Sequence, residues 1–278
     1  MINLMLAIVS SMLVSVTMRA SERHTKNDVS MLAMNYLMCT LLSAAFAGTF
    51  DFLPAVPGIG AAGALGLVSG AMYLGSFLLL QWNIRVNGVV LPATFMKLGV
   101  VVPTLLSIIC FGETPTAAQL LGFALALAAI LLIRMEKGQG RAKNAAGLII
   151  LLIGGGLTDS LSKVYEVYGS VSLENHYLLY TFAAALVLCA LLALRQGQGM
   201  TLKDALFGML IGVPNYFSAR FLLLSLSQVP AVVAYPTYSV ATIVLIALAG
   251  RLIFRERLSH RQLSAMGIIL AALALLNL

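Results

Sequence analysis

FGETPTAAQLLGFALALAAILLI, residues 111–133, and FRERLSHRQLSAMGIILAALALL, residues 254–276, are one pattern written twice at an offset of 143. The alignment sets Glu113 over Glu256, Gln119 over Gln262 and Gly122 over Ala265, and the same offset brings Tyr73 onto Tyr216. Extended self-similarity at a fixed spacing is the mark of a duplicated structural unit. Each copy closes on an apolar run, and further runs of the same kind fill the rest of the chain. Cutting at charges, prolines and polar clusters predicts helices near 2–18, 30–50, 59–80, 88–111, 117–134, 145–163, 177–194, 205–225, 229–250 and 262–278. Most of these runs are long enough for the ~30 Å hydrocarbon layer of a bilayer. The expectation is an all-α integral membrane protein of ten transmembrane helices, built as two five-helix repeats, residues 1–139 and 140–278. Five is odd, so the second copy must enter the membrane in the opposite sense to the first. Two inverted repeats are a common transporter plan.

Composition supports the same class. Hydrophobic residues make up 60% of the 278 and charged residues 10%, against about 25% charged in an average soluble domain, which excludes a water-soluble globule. The net charge of +7 is no nucleic-acid signal, because all the basic residues except Lys97, Lys163 and Arg220 fall in connectors after odd-numbered segments. Under the positive-inside rule those connectors are cytoplasmic and both termini lie outside, in a multi-pass protein of the plasma (inner) membrane. The opening MINLMLAIVSSML lacks a basic n-region and a small-residue cleavage site, so the first run reads as a retained helix. Cys39, Cys110 and Cys189 lie inside apolar runs without ligand spacing and read as small hydrophobes. The three histidines share no ligand spacing, and HExxH, GxSxG and phosphate-loop signatures are absent, so neither an enzyme nor a metal or other cofactor is expected.

Ionisable groups inside hydrocarbon cost several kcal/mol unless they pair or reach water, which makes them the best pointers to function. Lys97 lies near mid-bilayer in the fourth segment, with Thr94 close to it. It reads as a substrate contact, as half of a structural ion pair, or as a water-facing lysine. In GGGLTDSLSKVYE (154–166), Asp159 and Lys163 stand four residues apart. They either neutralise each other along the helix, or Asp159 lines a cavity, where it takes up a proton or pairs with Lys97. In GVPNYFSAR (212–220), Pro214 removes a helical hydrogen bond beside Asn215, Tyr216 and Arg220. Arg220 is placed either in a cavity or at the headgroups. Tyr235 and Tyr238 share a face of the ninth segment and read as ligand-cradling rings or as belt residues. Asn35 and Tyr36, well inside the second segment, complete the set. The glycines of segments three and eight read as close-packing positions.

A ten-segment chain of two copies, each with FGE or FRE followed by PTAAQ or LSHRQ, resembles the EamA-like branch of the drug/metabolite transporter superfamily. The resemblance covers nearly the whole chain, and its specific parts are residues 111–122 and 254–265. Arg255 and Ala265 stand where that pattern has glycines, which puts the packing of the last hairpin in question. The resemblance implies a secondary transporter working by alternating access. Its central cavity would be lined by the first four helices of each repeat, with the fifth of each more peripheral. It also implies substrate contacts at Asn35, Tyr36, Thr94, Lys97, Asp159, Tyr216, Tyr235 and Tyr238, to which the cavity reading of Arg220 adds one more. Glu113, Gln119, Glu256 and Gln262 would be structural, as caps or salt-bridge formers. The expected partners are the lipid bilayer and a small polar metabolite, an amino acid or an organic anion, with proton or sodium coupling admitted. A monomer and a homodimer are both compatible. Two other readings stand: an exporter of organic cations or drugs, and a non-transporting membrane scaffold.

Overall fold

The computed structural model describes residues 1–21, 24–48, 54–87, 90–134, 144–197, 199–253 and 260–278; the side chains of 90, 91, 93, 94, 133, 134 and 260–263 lie outside that description. The described residues form eleven α-helices, one 3-10 turn (Val171–Leu173) and no strand. In chain order the helices are α1 (Ile2–Ser21), α2 (Asp28–Ala47), α3 (Ile59–Asn87), α4 (Val90–Leu98), α5 (Val101–Phe111), α6 (Ala117–Arg134), α7 (Ala145–Tyr168), α8 (Glu174–Gln196), α9 (Leu202–Leu226), α10 (Ala231–Ile253) and α11 (His260–Leu276). Seven of them, α1, α2, α3, α7, α8, α9 and α10, are long and apolar enough to cross a membrane, and three shorter apolar stretches lie at 95–111, 117–132 and 264–276.

All ten expected segments are helical, and the count of eleven arises because one of them is broken in two. The fourth segment is not continuous, because it breaks at Gly99 and Val100 into α4 and α5. Pro103 has no N–H to bond the Gly99 carbonyl, and the backbone tightens there instead, with Val102 N donating to Gly99 O at 2.9 Å. Gly156 of α7 lies against this break; a Cβ on it would press into the Gly99 carbonyl and into Val102. Of the 154–156 glycine run, Gly156 alone makes so close a contact. Helix α3 is the other departure. It continues past residue 80 to Asn87, so Trp82 belongs to the helix, exposed on one side and with one edge of its ring against Gly147.

Short polar devices pin the helix ends. Asn27 caps α2 by accepting from Val29 N and Ser30 N, both at 3.1 Å, as N-cap asparagines do. Asp204, fully buried in the first turn of α9, accepts from Thr201 N at 2.9 Å and from Lys26 N at 2.8 Å. One carboxylate thus caps its own helix and holds the turn between α1 and α2. At the same end of the molecule, Asn83 of α3 donates to Gly147 O at 3.1 Å, and Asn144, which caps α7, donates its backbone N–H to Asn87 Oδ1 at 2.9 Å.

Helix α2 packs along both α8 and α9, α3 along α8 and α7, α1 along α9 and α10, and α6 along α11. Lipid tails are as apolar as leucine, so close backbone approach rather than water exclusion drives such pairing. At the contact of α2 and α9, a Cβ on Gly208 would collide with the Met31 carbonyl, and one on Gly212 would stand 2.6 Å from the Asn35 carbonyl. Gly208→Ala should therefore separate these helices and cost about 1–3 kcal/mol, read as a lower melting temperature of the detergent-solubilised protein; an unchanged melting curve would contradict the close contact. At the last hairpin, Gly122 approaches the Ala272 carbonyl of α11, while Ala265 is itself fully buried.

Candidate functional site

The described cavity lies where α1, α2, α3, α4, α7 and α9 meet, with a volume of about 320 Å³. Its polar lining consists of Asn35, Tyr36, Tyr73, Ser76, Thr158, Asp159 and Asn215, and its apolar lining includes Met18, Met31, Met96, Phe77, Leu80 and Ile211. Val14 and Met18 come from the last half of α1, Met31 and Leu32 from the first turn of α2, and Leu80 from the last third of α3. The cavity thus runs from mid-helix toward the end that carries the α1–α2 connector. Neither α6 nor α11 contributes a residue to the described lining.

Asp159 is the one formally charged residue among the described lining residues. Lys97 stands within Coulombic reach of it, in the last turn of α4 beside the helix break. Tyr235 donates its hydroxyl to the Asp159 main-chain carbonyl at 2.8 Å, leaving the carboxylate untouched. Tyr238 exchanges a hydroxyl hydrogen bond with Ser218 at 2.8 Å. Both tyrosines stand behind the wall, within Coulombic reach of Asp159. Ser76 and Thr158 bond across the α3–α7 contact at 2.8 Å. Asn215 Nδ2 donates to Asn35 Oδ1 at 3.2 Å across the α2–α9 contact.

The opposite end is closed by polar and aromatic contacts. Lys163 pairs with Glu166 at 2.6 Å and with Glu113 at 3.2 Å, all three side chains largely buried. The same Glu113 carboxylate accepts from Ala231 N at 2.9 Å and Val232 N at 2.8 Å, capping α10. A carboxylate at a helix N-terminus meets unsatisfied N–H groups and a favourable dipole. Of the two readings open for Asp159, pairing with Lys163 is allowed by the spacing but not made, because the Lys163 ammonium turns to two carboxylates at the far end of α7, and Asp159 lines the cavity. Nearby, Arg220 donates to Tyr216 Oη at 2.9 Å and to Asn175 Oδ1, and lies 4.6 Å from the Phe46 ring centroid. Phe182 stands between this cluster and the cavity, with Tyr36 and Tyr73 each 6.4 Å away and Tyr216 6.3 Å away, ring centre to ring centre.

Of the residues singled out from the sequence, Asn35, Tyr36 and Asp159 line the cavity. Lys97, Tyr235 and Tyr238 surround Asp159 from outside the described lining, and Tyr216 and Arg220 belong to the closed end. The side chains of Thr94 and Gln262, and the whole of Glu256, lie outside the described residues. Gln119 exchanges bonds with Thr116 at the start of α6 (3.1 and 3.2 Å), a capping arrangement. The methionines and Tyr73 were missed as site residues, since apolar side chains at helical spacing look alike whether they face lipid or a cavity. Asn215 carried a signal, its place next to Pro214. Among the described residues no group of three metal-ligating side chains converges.

Residues 175–269 match the family model of the Small Multidrug Resistance protein. That stretch, about a third of the chain, covers nearly all of α8, then α9, α10 and the first part of α11. An uncharacterized protein of Haemophilus influenzae is 26% identical over 287 residues, covering 98% of this chain and 96% of its own. A protein known from its crystal structure superposes with a TM-score of 0.78 at 13% identity, over 99% of this chain and 94% of that one, which shows a shared fold. The long apolar helices describe a multi-pass membrane protein, and the match adds a likeness to small multidrug resistance proteins over its second half.

Proposed function

We propose that this chain is a secondary transporter of small amphipathic amines and that it works by alternating access. The observation that carries the substrate class is the lining itself, one carboxylate, Asp159, among thioethers, aliphatic side chains and rings. A buried carboxylate in a low-dielectric wall favours a cation, and the apolar remainder of the cavity accepts a hydrocarbon or aromatic body. Methionine linings adapt to differing shapes. Organic anions find no cationic partner in the described lining, although Lys97 near Asp159 favours a second reading, a zwitterion such as an apolar amino acid.

The packing supports the two-repeat plan. Shifting every helix by one repeat turns the α2–α9 contact into α8–α3, and α1–α9 into α7–α3, while α2–α8 and α6–α11 map onto themselves. In this reading 1–139 and 140–278 are the moving bodies. The Glu113–Lys163 pair joins them at the closed end, and the cavity faces the cytoplasm by the basic connectors, in the plasma membrane with both termini outside. Asp159, the proton candidate of the sequence, is the group through which proton–substrate exchange would run.

The substrate class is tested by equilibrium binding of tritiated phenethylamine to purified protein in detergent, with unlabelled phenethylamine, phenylalanine and phenylacetate as competitors. The three share a ring and differ in charge. Phenethylamine should compete at least ~10-fold better than phenylacetate, the equivalent of about 1.4 kcal/mol. Phenylalanine ahead of phenethylamine would favour the zwitterion, and phenylacetate ahead of both would overturn the proposal.

A further inference from the structure

Asparagine side chains carry two donor hydrogens and one acceptor oxygen, and the accounting at Asn35 and Asn215 is incomplete. Asn215 Nδ2 donates to Asn35 Oδ1 at 3.2 Å, and the Cys39 thiol sits beside both, 3.8 Å from Asn35 Oδ1 and 3.7 Å from Asn215 Nδ2. That leaves Asn35 Nδ2 and Asn215 Oδ1 without a protein partner among the described residues. Asn35 is only 4% exposed, and both residues line the cavity. A polar group so placed costs free energy unless something in the cavity meets it. The pattern does not depend on which amide atom is which: turning both side chains over exchanges their roles and still leaves one donor and one acceptor. Glycines at 208 and 212 bring the two helices close enough for the amides to meet, and the wall they share also contains Asp159 and the apolar lining.

Resting on the amine reading above, we infer that the Asn35–Asn215 pair is a recognition element for a carboxamide edge, so that the preferred substrates are amphipathic amines that also carry a primary or secondary amide. A carboxamide presents C=O to the free Asn35 donor and N–H to the free Asn215 acceptor, a two-point match. A carboxylate offers acceptors alone and sets its charge against Asn215 Oδ1. A ligand held this way touches α2 and α9 together, one helix from each half, across the same contact that any rocking of the halves must shear.

The test compares phenylalaninamide with phenethylamine as competitors of tritiated phenethylamine, at mildly acidic pH where both amines are protonated. Wild-type protein should prefer phenylalaninamide by roughly tenfold, as two neutral hydrogen bonds of ordinary strength supply. N,N-dimethylated phenylalaninamide, which keeps C=O and lacks N–H, should lose most of that advantage. In Asn215→Leu and the milder Asn215→Ala, the ratio between the two competitors, read within each variant, should fall to about one. Equal competition by both ligands at the wild-type protein overturns the inference and leaves the amine reading standing. A preference that survives in both variants also overturns it. If no amine binds well-folded wild-type protein, the amine reading fails and the inference with it.

Discussion

Asp159→Asn should abolish saturable exchange of a cationic amine, lowering kcat/KM by at least ~100-fold, while the protein still folds. The magnitude follows from removing one charge-assisted contact in a wall of low dielectric, about 3 kcal/mol or more. Folding should persist because asparagine matches aspartate in size and because the Tyr235 hydrogen bond ends on the main-chain carbonyl of residue 159. The measurements are initial exchange rates in proteoliposomes and the melting temperature in detergent. Loss of exchange at an unchanged melting temperature fits the proposed role; unchanged exchange would show that Asp159 is a bystander in the cavity wall.

Lys163→Met should be the most destabilising single substitution at the closed end. It leaves the Glu113 and Glu166 carboxylates facing each other in a largely buried site without their shared cation. Breaking a buried pair from one side costs about 3–5 kcal/mol, because the surviving charge stays desolvated. Glu113→Gln should cost less, since the glutamine oxygen still accepts one of the two α10 N–H bonds. The double variant should lose less than the two single losses together, by at least ~1 kcal/mol of coupling. Chemical denaturation in mixed micelles reads all three. Strict additivity would mean that the pair contributes nothing beyond the cap, and the joint between the halves would have to be sought at Arg220 and Phe46.

The apolar runs located the helices, seven of them long enough to cross a bilayer, because a bilayer sets a minimum length that is visible in the sequence as an absence of charge. The break at Gly99 was harder to read, since Gly99 and Pro103 sit in a run apolar enough for one helix and the break depends on α7 pressing in at Gly156. Spacing along α7 told which side chains could meet but not which would. Lys163 finds Glu113, fifty residues earlier in the chain, because the connector before α6 folds over the end of α7. Asp159 was legible as a candidate through the cost of its charge in hydrocarbon. Met18, Met31 and Met96 were not, because nothing in composition separates a methionine facing lipid from one facing a cavity. Tyr216 and Arg220 drew attention through Pro214, but Tyr216 faces a different side of α9 from its neighbour Asn215 and joins Arg220, one turn further on, at the closed end, while Asn215 remains on the cavity wall.

The central claim, that the cavity carries a small molecule from one side of the membrane to the other, is tested most directly by radiolabelled counterflow in proteoliposomes, with phenethylamine and phenylalaninamide loaded inside. Wild-type protein should accumulate external label transiently above the passive level, with saturation by the unlabelled amine and loss of the signal in Asp159→Asn. Well-folded wild-type protein that binds the amines in detergent but gives no counterflow would contradict transport and favour a membrane scaffold with a ligand pocket.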